Sequence, residues 1–565
     1  MPSFRARPGD PEAAARLSRD VGLHPVTAQV LVGRGVATAE RARRFLQPGA
    51  EQLHDPLALV DMERAVDTIE EAARAGSRIA VYGDYDVDGV CGTALLARAL
   101  RLLGADVRPF IPHRVEDGYG LSGDALARLA DEGCRCVVTV DNGTGRVPEI
   151  EAALARGMSV VVTDHHEVGA ALPPCPVVNP KRADADYPFQ GLAGCGVALK
   201  VALALAQRRG RLGTPEFKTI LPDLFAFAAI GTVADVVPLV DENRSLVALG
   251  LRALNATRVP GLQALLKVAD CRGKPVRTVD IAFRLGPRLN AAGRIGSAHL
   301  SLDLLLSEDA ATANRLAEQL DAGNRERQRI ERQQAEEAFA QAEEALRRAP
   351  APALVLSGEG WHPGVIGIVA ARVAETYRLP AALITVDGEG ARGSARSHGG
   401  VRLHEVLARC GEHLLTHGGH AFAAGFTMRA DRIEAFRDAF LRAVAEQAPA
   451  DPGPKLVDAE LPIDAIHGPL AVEIDRFQPF GLGNEEPVFC AFGVRAAGRP
   501  RLVGQGERHL TFYAAGERRS VRAVGFNMAE KEPLLRAPID LSYVLRTRDD
   551  ADAFELQVRE MVAAG

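Results

Sequence analysis

Residues 78–89 read Arg-Ile-Ala-Val-Tyr-Gly-Asp-Tyr-Asp-Val-Asp-Gly. A short apolar run, Arg78–Val81, is followed at once by Asp84, Asp86 and Asp88 on alternate positions. Carboxylates this close repel and raise one another's pKa unless positive charge sits among them. The run itself is apolar on both faces, as a central strand of a parallel sheet is. The stretch therefore predicts a strand whose carboxyl end presents three acids to a cation.

The same pattern recurs downstream. The run Cys136–Val140 ends on Asp141, and Ser159–Thr163 ends on Asp164, His165 and His166. In open parallel sheets, ligands bind outside the carboxyl ends of the strands. A fourth acid, Asp235, interrupts the apolar stretch FAAIGTVADVVPL (227–239), and a buried acid needs a bond or a metal. A single strand-end aspartate is ordinarily a turn or helix cap; several at one edge are hard to explain so. Oxygen ligands with one or two imidazoles suit Mn²⁺ or Mg²⁺ better than zinc. Four or more carboxylates match two cations bridged by a shared carboxylate, as in two-metal hydrolases.

The wider chain frames this site. Its 565 residues exceed what one hydrophobic core holds. With 47% apolar and 25% charged residues it has the composition of a soluble globular protein, and no membrane-spanning apolar run or secretory leader is expected. Eight cysteines without a C-x-x-C pair indicate neither a zinc knuckle nor a disulfide framework, and a reducing cytoplasm is expected. A net charge of −6 argues against coating nucleic acid by bulk attraction but leaves room for a local basic track. Arg252, Arg258, Lys267, Arg272, Lys274, Arg277, Arg284, Arg288 and Arg294 form one such stretch; arginine richness alone is the equally good explanation.

The pattern of segments predicts a multidomain α/β chain. Residues 1–75 read as an Arg/Ala-rich helical lead-in and 76–300 as the parallel-sheet α/β unit. Residues 301–349 read as long polar connecting helices with a break at Gly323. A second α/β unit occupies 350–450, with strands at ALVLS (353–357) and AALITV (381–386). After the Pro-rich APADPGPK (448–455), short segments such as HLTFYAA, SVRAVGF and IDLSYVL read as a small β-barrel over 453–565.

YGDYDVDGVCGTALL, TVDNGTG, VTDHHE and IGTVADVVPL resemble, in order, the motifs of the DHH phosphoesterase superfamily, named for an Asp-His-His like that at 164–166. Further stretches resemble its single-strand-specific exonuclease branch, the RecJ family. They are IPHRVEDGYGL (111–121), NPKRADADYPFQGLAGCGVALK (179–200), FRLGPRLNAAGRI (283–295), GWHPGVIGIVAARV (360–373), GSARS (393–397), HGGHAFAAGF (417–426) and FQPFGLGNEEPVF (477–489). The resemblance covers about residues 50–490. It implies a parallel-sheet DHH catalytic domain, a long connecting helix, a second DHH-associated α/β domain and an OB-like β-barrel.

It also implies a two-metal-dependent exonuclease that hydrolyses single-stranded DNA from 5′ to 3′ in repair and recombination. Metal ligands would be Asp84, Asp86, Asp88, Asp141, His165 and Asp235, with Asp141 bridging, and His166 would meet the scissile phosphate. Arg114 and Tyr119 would meet the strand, and Arg288, Asn290, Arg294, Ser394, Arg396 and His420 would bind substrate, some of them around a terminal 5′ phosphate. Read without the resemblance, His417 and His420 fit a tight turn with capping histidines. Single-strand-binding protein and a helicase are the implied partners, and a cytoplasmic monomer is expected. Asn142, Thr144 and Glu485 depart from the family pattern, as does 546–553. Two other functions remain open: a DHH enzyme for short oligonucleotides or cyclic dinucleotides, and a non-catalytic single-strand-binding subunit.

Overall fold

The computed structural model describes residues 4–112, 120–169, 171–295, 298–447, 455–547 and 554–564. Arg114 and Tyr119, and most of 546–553, lie outside them.

A short strand, β1 (Phe4–Ala6), and helices Pro11–Val21, Pro25–Gly33 and Ala39–Leu46 begin the chain. The first parallel sheet follows: β2 (Arg78–Gly83), β3 (Val107–Phe110), β4 (Cys134–Val140), β5 (Ser159–Thr163) and β6 (Val177–Val178), in spatial order β3-β2-β4-β5-β6. Ile79, Val81, Val138, Val140 and Val161 face one core, and Ala80, Tyr82, Val137, Val160 and Val162 the other. Cover on both faces is what all-parallel strands require. The register sets Gly83 beside Val140, and the Asp141 amide bonds to the Thr163 carbonyl at 3.0 Å. The carboxyl ends of β2, β4 and β5 thus stand side by side.

The helix Pro215–Ala234, with Thr214 as N-cap and Asp235 at its end, delivers the fourth acid. By length and composition it could span a membrane, contrary to the expectation that no such run exists. Here Phe217, Leu224, Phe227 and Ile230 are buried in the catalytic core. The polar residues Glu216, Lys218 and Asp223 break the run in the linear sequence.

One helix, Ala310–Arg348, runs 39 residues without the break expected at Gly323. An isolated glycine costs a helix about 1 kcal/mol, too little to stop one held at both ends. Its first half (Ala313, Leu316, Leu320) packs into the sheet domain and its second (Ala335, Ala338, Ala342) into the next domain. Buried stripes at both ends make it a strut rather than a solvated tether.

The second domain carries β7 (Leu354–Glu359), β8 (Ala381–Asp387), β9 (Gly390–Arg396), β10 (Thr416–Gly419) and β11 (Ala423–Arg429), ordered β10-β11-β9-β8-β7. At the C-terminus come β12 (Lys455–Val457), β13 (Ala459–Glu460), β14 (Phe489–Val503), β15 (His509–Ala515), β16 (Ser520–Gly525), β17 (Ile539–Thr547) and β18 (Phe554–Ala563). Pairing of β14 with β17 closes β14-β15-β16-β18-β17 into a five-stranded barrel. The first helices pack on this barrel: Leu17, Leu31 and Leu46 share its core with Phe489, Tyr543 and Leu556, and β1 pairs parallel with β12. Arg244, from the sheet domain, donates to the carbonyls of Phe45, Phe477 and Gln478 and lies 3.9 Å over the Phe45 ring, binding three parts of the chain together.

Candidate metal centre

The alternation of acids after β2 is resolved by local geometry. Asp86 caps the helix Val87–Leu102, one oxygen accepting from the amides of Asp88 (3.0 Å) and Gly89 (3.1 Å). Asp88 accepts from the amides of Gly194 (2.7 Å) and Cys195 (2.9 Å), at the start of the helix Gly194–Arg208. Two helix N-termini thus face the comb, and their dipoles favour negative charge. Asp141 has φ +66°, a left-handed turn that aspartate tolerates better than most residues and that swings its side chain over the sheet edge. Glycines make the approach possible: a Cβ at Gly194 would lie 2.5 Å from the Asp141 Cβ, and one at Gly89 2.4 Å from the Asp84 nitrogen.

The side chains converge. His165 Nε2 stands 3.0 Å from Asp141 Oδ1, 3.6 Å from Asp235 Oδ2 and 3.8 Å from Asp88 Oδ2. Asp141 Oδ1 is buried and yet receives no hydrogen bond. A desolvated carboxylate oxygen without a donor is costly, and ringed by other ligand atoms it fits a cation. Ligand atoms of Asp84, Asp86 and Asp141 lie within 4.8 Å of one another, as do those of Asp88, His165 and Asp235, and those of Asp141, His165 and His166. Asp141 and His165 each belong to two of the three groups, and of the two only the carboxylate has the lone pairs to serve two cations. Oxygen donors with one or two imidazoles match Mn²⁺ or Mg²⁺. All six acids and imidazoles expected as ligands from the sequence are in these groups.

Without a cation, the acids resist ionisation. Burial, then Asp86, pushes Asp84 up to about 7. Burial, then Asp88 and Asp86, pushes Asp235 up to about 8. Asp86 and Asp141 are raised by the same two causes, burial first. Burial lowers His165, leaving it the neutral imidazole that metals bind.

Asp164, first letter of the Asp-His-His, does something else. It accepts from the amides of His165 (2.8 Å) and Thr144 (3.0 Å) and from His166 Nδ1 (2.8 Å). Burial pushes its carboxyl up, but the His166 bond and charge and the Thr144 amide outweigh it and hold it below the usual range. In return the Asp164 bond raises His166 to about 9, so His166 is an imidazolium at neutral pH, with its side chain 42% exposed. The sequence reading gave no role to Thr144 beyond a departure from pattern. Its hydroxyl accepts from Asn179 Nδ2 at 3.1 Å, and the same amide bonds the His166 carbonyl at 3.0 Å. Lys181 was also missed: its charge reaches His165 and Asp235, and it bonds Glu167 at 3.0 Å. Both Asn179 and Lys181 sit in the motif NPKR, which was the available signal.

The expected substrate residues divide. Arg294 donates to the Gly364 carbonyl at 3.0 Å, joining the sheet domain to the loop before the helix Ile366–Tyr377. Arg396 donates to Ser394 Oγ at 2.9 Å, and a Cβ on Gly367 would lie 2.8 Å from Arg396 and 3.0 Å from Ser394 Oγ. Arg294, Ser394 and Arg396 therefore gather around 364–367. Burial depresses the Arg396 guanidinium, and no carboxylate pairs with it among the described residues. Asn290 lines the same cavity as Arg294. Arg288 is instead bound to Asp321 (3.0 Å) and the Arg284 carbonyl (2.8 Å). His420 is exposed on the β10–β11 turn, and its charge acts on Glu167, so the second sheet's edge faces the Asp-His-His. Most of the basic stretch 252–294 is occupied internally: Lys274 bonds Asp270, Arg277 faces Asp475, and Arg252 bonds the Pro48 carbonyl.

Comparison with known proteins agrees with these divisions. Residues 78–232 match the DHH family N-terminal domain, 351–446 the DHHA1 domain and 457–559 the RecJ OB domain. The single-stranded-DNA-specific exonuclease RecJ of Bacillus subtilis is 36% identical over 92% of this chain, which spans 65% of that protein. RecJ of Dickeya dadantii is 37% identical over 84% of each chain. The crystal structure of RecJ in complex with Mn²⁺ from Thermus thermophilus superposes with a TM-score of 0.83 at 32% identity, covering 100% of this chain and 79% of the other.

Proposed function

The chain belongs to the RecJ family, and from that membership we propose that it is a divalent-cation-dependent exonuclease acting on single-stranded DNA from the 5′ end. The observation that carries the proposal is the orphaned, buried Asp141 Oδ1 ringed by His165, Asp88 and Asp235. In this reading Asp84, Asp86 and Asp141 would hold one cation and Asp88, His165 and Asp235 the other. Bound there, Mn²⁺ or Mg²⁺ neutralises phosphate charge and lowers the pKa of nearby water.

The chain's own groups supply the rest. The two helix N-termini hold Asp86 and Asp88 in orientation through amide bonds. Asp164 accepts the Nδ1–H of His166 and keeps the ring charged, so its Nε2–H is set to meet a phosphodiester oxygen and stabilise the charge that grows there. Arg294, Ser394 and Arg396 form the receptor for a terminal phosphate, which supports 5′ polarity. The Arg396 guanidinium, desolvated and unmatched by any carboxylate among the described residues, is suited to a dianion.

In this reading the gap between the two domains joined by the helix Ala310–Arg348 would admit one strand and exclude a duplex. Strand separation must then come from another protein, so a helicase and a single-strand-binding protein fit as partners in repair and recombination. The enzyme is proposed to act as a monomer, and its DNA substrate and eight buried free cysteines fit a reducing cytoplasm.

The test is degradation of 5′- and 3′-end-labelled single strands and blunt duplex with Mn²⁺, Mg²⁺ or EDTA. Metal-dependent loss of the 5′ label as mononucleotide from single strands alone is expected, and Asp141→Ala should abolish it while leaving the circular dichroism spectrum unchanged. Preference for dinucleotides over long strands, or undiminished hydrolysis by Asp141→Ala, overturns the proposal.

A further inference from the structure

One cationic cavity takes no part in the proposed reaction. It measures about 380 Å³, the size of a small-ligand pocket, and its wall carries Arg34, Arg41, Arg44 and Arg244 against the single acid Asp241. It lies where three parts of the chain meet. Arg34 ends the helix Pro25–Gly33, and Arg41 and Arg44 lie on Ala39–Leu46. Arg244 comes from the helix Asp241–Asn255 of the sheet domain, and Asn484 from the segment leading into the barrel. Arg34 bonds Asn484 Oδ1 at 2.9 Å across that joint.

Its charges do not balance. Asp241 is engaged by His54 Nε2 at 2.7 Å, and Arg34 reaches Asp458 at 3.6 Å. Among the described residues no carboxylate pairs with Arg41, Arg44 or Arg244. Arg244, 4% exposed, directs its N–H groups to the carbonyls of Phe45, Phe477 and Gln478, which satisfies its bonds but not its charge. Burial, then the neighbouring Arg34, lowers its pKa to about 9. Arg41 and Arg44 are exposed and stand three residues apart on one helix, where like charges repel. Buried charge is costly without a partner of opposite sign, so an anion in this cavity would relieve all four groups at once.

We propose that the cavity binds phosphate, either orthophosphate or the phosphate of a mononucleotide, and that the bound anion fastens the first helices and the C-terminal unit to the sheet domain. Guanidinium forks match the oxygens of phosphate in geometry as well as charge. Arg41 and Arg44 supply the forks at the rim, while Arg34 and Arg244 supply buried charge beneath. The proposal stands apart from the nuclease reading, since it needs no metal and none of the residues placed there.

The test uses the full chain in EDTA, with sodium chloride holding ionic strength constant. An Arg396→Ala background removes the proposed terminal-phosphate receptor from the count. Orthophosphate at about ten times its Kd should raise the melting temperature by roughly 2–3 °C. The mononucleotide dTMP should do the same, and thymidine, which lacks the phosphate, should do nothing. Adding Arg41→Ala and Arg44→Ala should abolish the shift while leaving the phosphate-free melting and circular dichroism as they were, because both side chains are exposed. Phosphorus NMR gives a reading independent of melting: the orthophosphate line should broaden with the parent and stay sharp with the double variant. With Arg396 restored, the double variant should hydrolyse single strands at the parent's rate. An equal shift in the double variant, or one produced by thymidine, overturns the site. So does displacement of phosphate by a dT 20-mer lacking a 5′ phosphate, or a loss of hydrolysis in the double variant, either of which would make the cavity part of the strand's path. A chain that degrades no strand and still shows the phosphate-dependent shift keeps this proposal and loses the nuclease reading.

Discussion

Removing divalent cations should invert the pH dependence of stability. Asp84 and Asp235 ionise near 7 and 8 in the metal-free fold, against an ordinary value of 3.8. From about pH 4 up to those values the folded chain keeps two protons that the unfolded chain has lost. Stability therefore falls as pH rises, by about 1.4 kcal/mol per unit for each group while both remain protonated. His166 acts in the same direction: raised from 6.5 to about 9, it contributes fully below 6.5 and is lost as pH climbs through 9. Asp164, held low, matters only in strong acid.

Between pH 5 and 8 the two acids alone amount to roughly 6 kcal/mol, or on the order of 10–20 °C in the melting of a domain of this size. Cation binding must displace the same protons, so affinity at pH 6 should be two to three powers of ten below that at pH 8, roughly 3–4 kcal/mol. Scanning calorimetry in EDTA and in Mg²⁺ at pH 6, 7 and 8.5 reads the first effect. Titration calorimetry in buffers of different ionisation enthalpy counts the protons released. Asp235→Asn should raise the metal-free melting temperature at pH 8.5 while destroying activity. Metal-free stability that rises with pH across this window, or cation binding without proton release, would refute the account of the site.

His166→Gln keeps a donor but loses the charge, so kcat should fall roughly 10²-fold, and the parent's rate should decline above pH 9 as the imidazolium is lost. Arg396→Ala should cost ~2 kcal/mol, about 30-fold, in kcat/KM for strands bearing a 5′ phosphate. It should change little for strands without one; equal losses on both would remove the receptor. Arg244→Ala leaves buried carbonyls of Phe45, Phe477 and Gln478 without donors. It should destabilise by ~3 kcal/mol or more and separate the barrel's melting from that of the catalytic domain, which two-step calorimetric unfolding would report.

Much of the catalytic half was legible because it rests on local rules. Strands β2, β4 and β5 are short, β-branched and apolar on both faces, and each ends on acids, so both the parallel sheet and its active edge follow from pattern. Asp235 was legible for the opposite reason, as a charge in an apolar helix. What was hidden depends on contacts far apart in sequence. Nothing in residues 4–46 says that they pack on a barrel beginning some 410 positions later, because amphipathic helices do not name their partners. Gly323 misled because helix breaking is a weak local preference, overridden when both flanks are buried.

The Asp-His-His shows how one motif divides labour that a residue count would merge. His165 is neutral, buried and aimed among carboxylates, while His166, next in sequence, is charged and open. The difference arises from Asp164, whose four bonds, from three amides and one imidazole, leave it no capacity to serve as a ligand. By spending its charge on His166, it places one fixed cation at the mouth of an acidic site. Such a site would otherwise repel the phosphate that the proposed reaction brings to it. The net charge of −6 thus conceals one fixed cation set beside a cluster of anionic side chains. In the proposed reaction a polyanion would meet that imidazolium before the carboxylates.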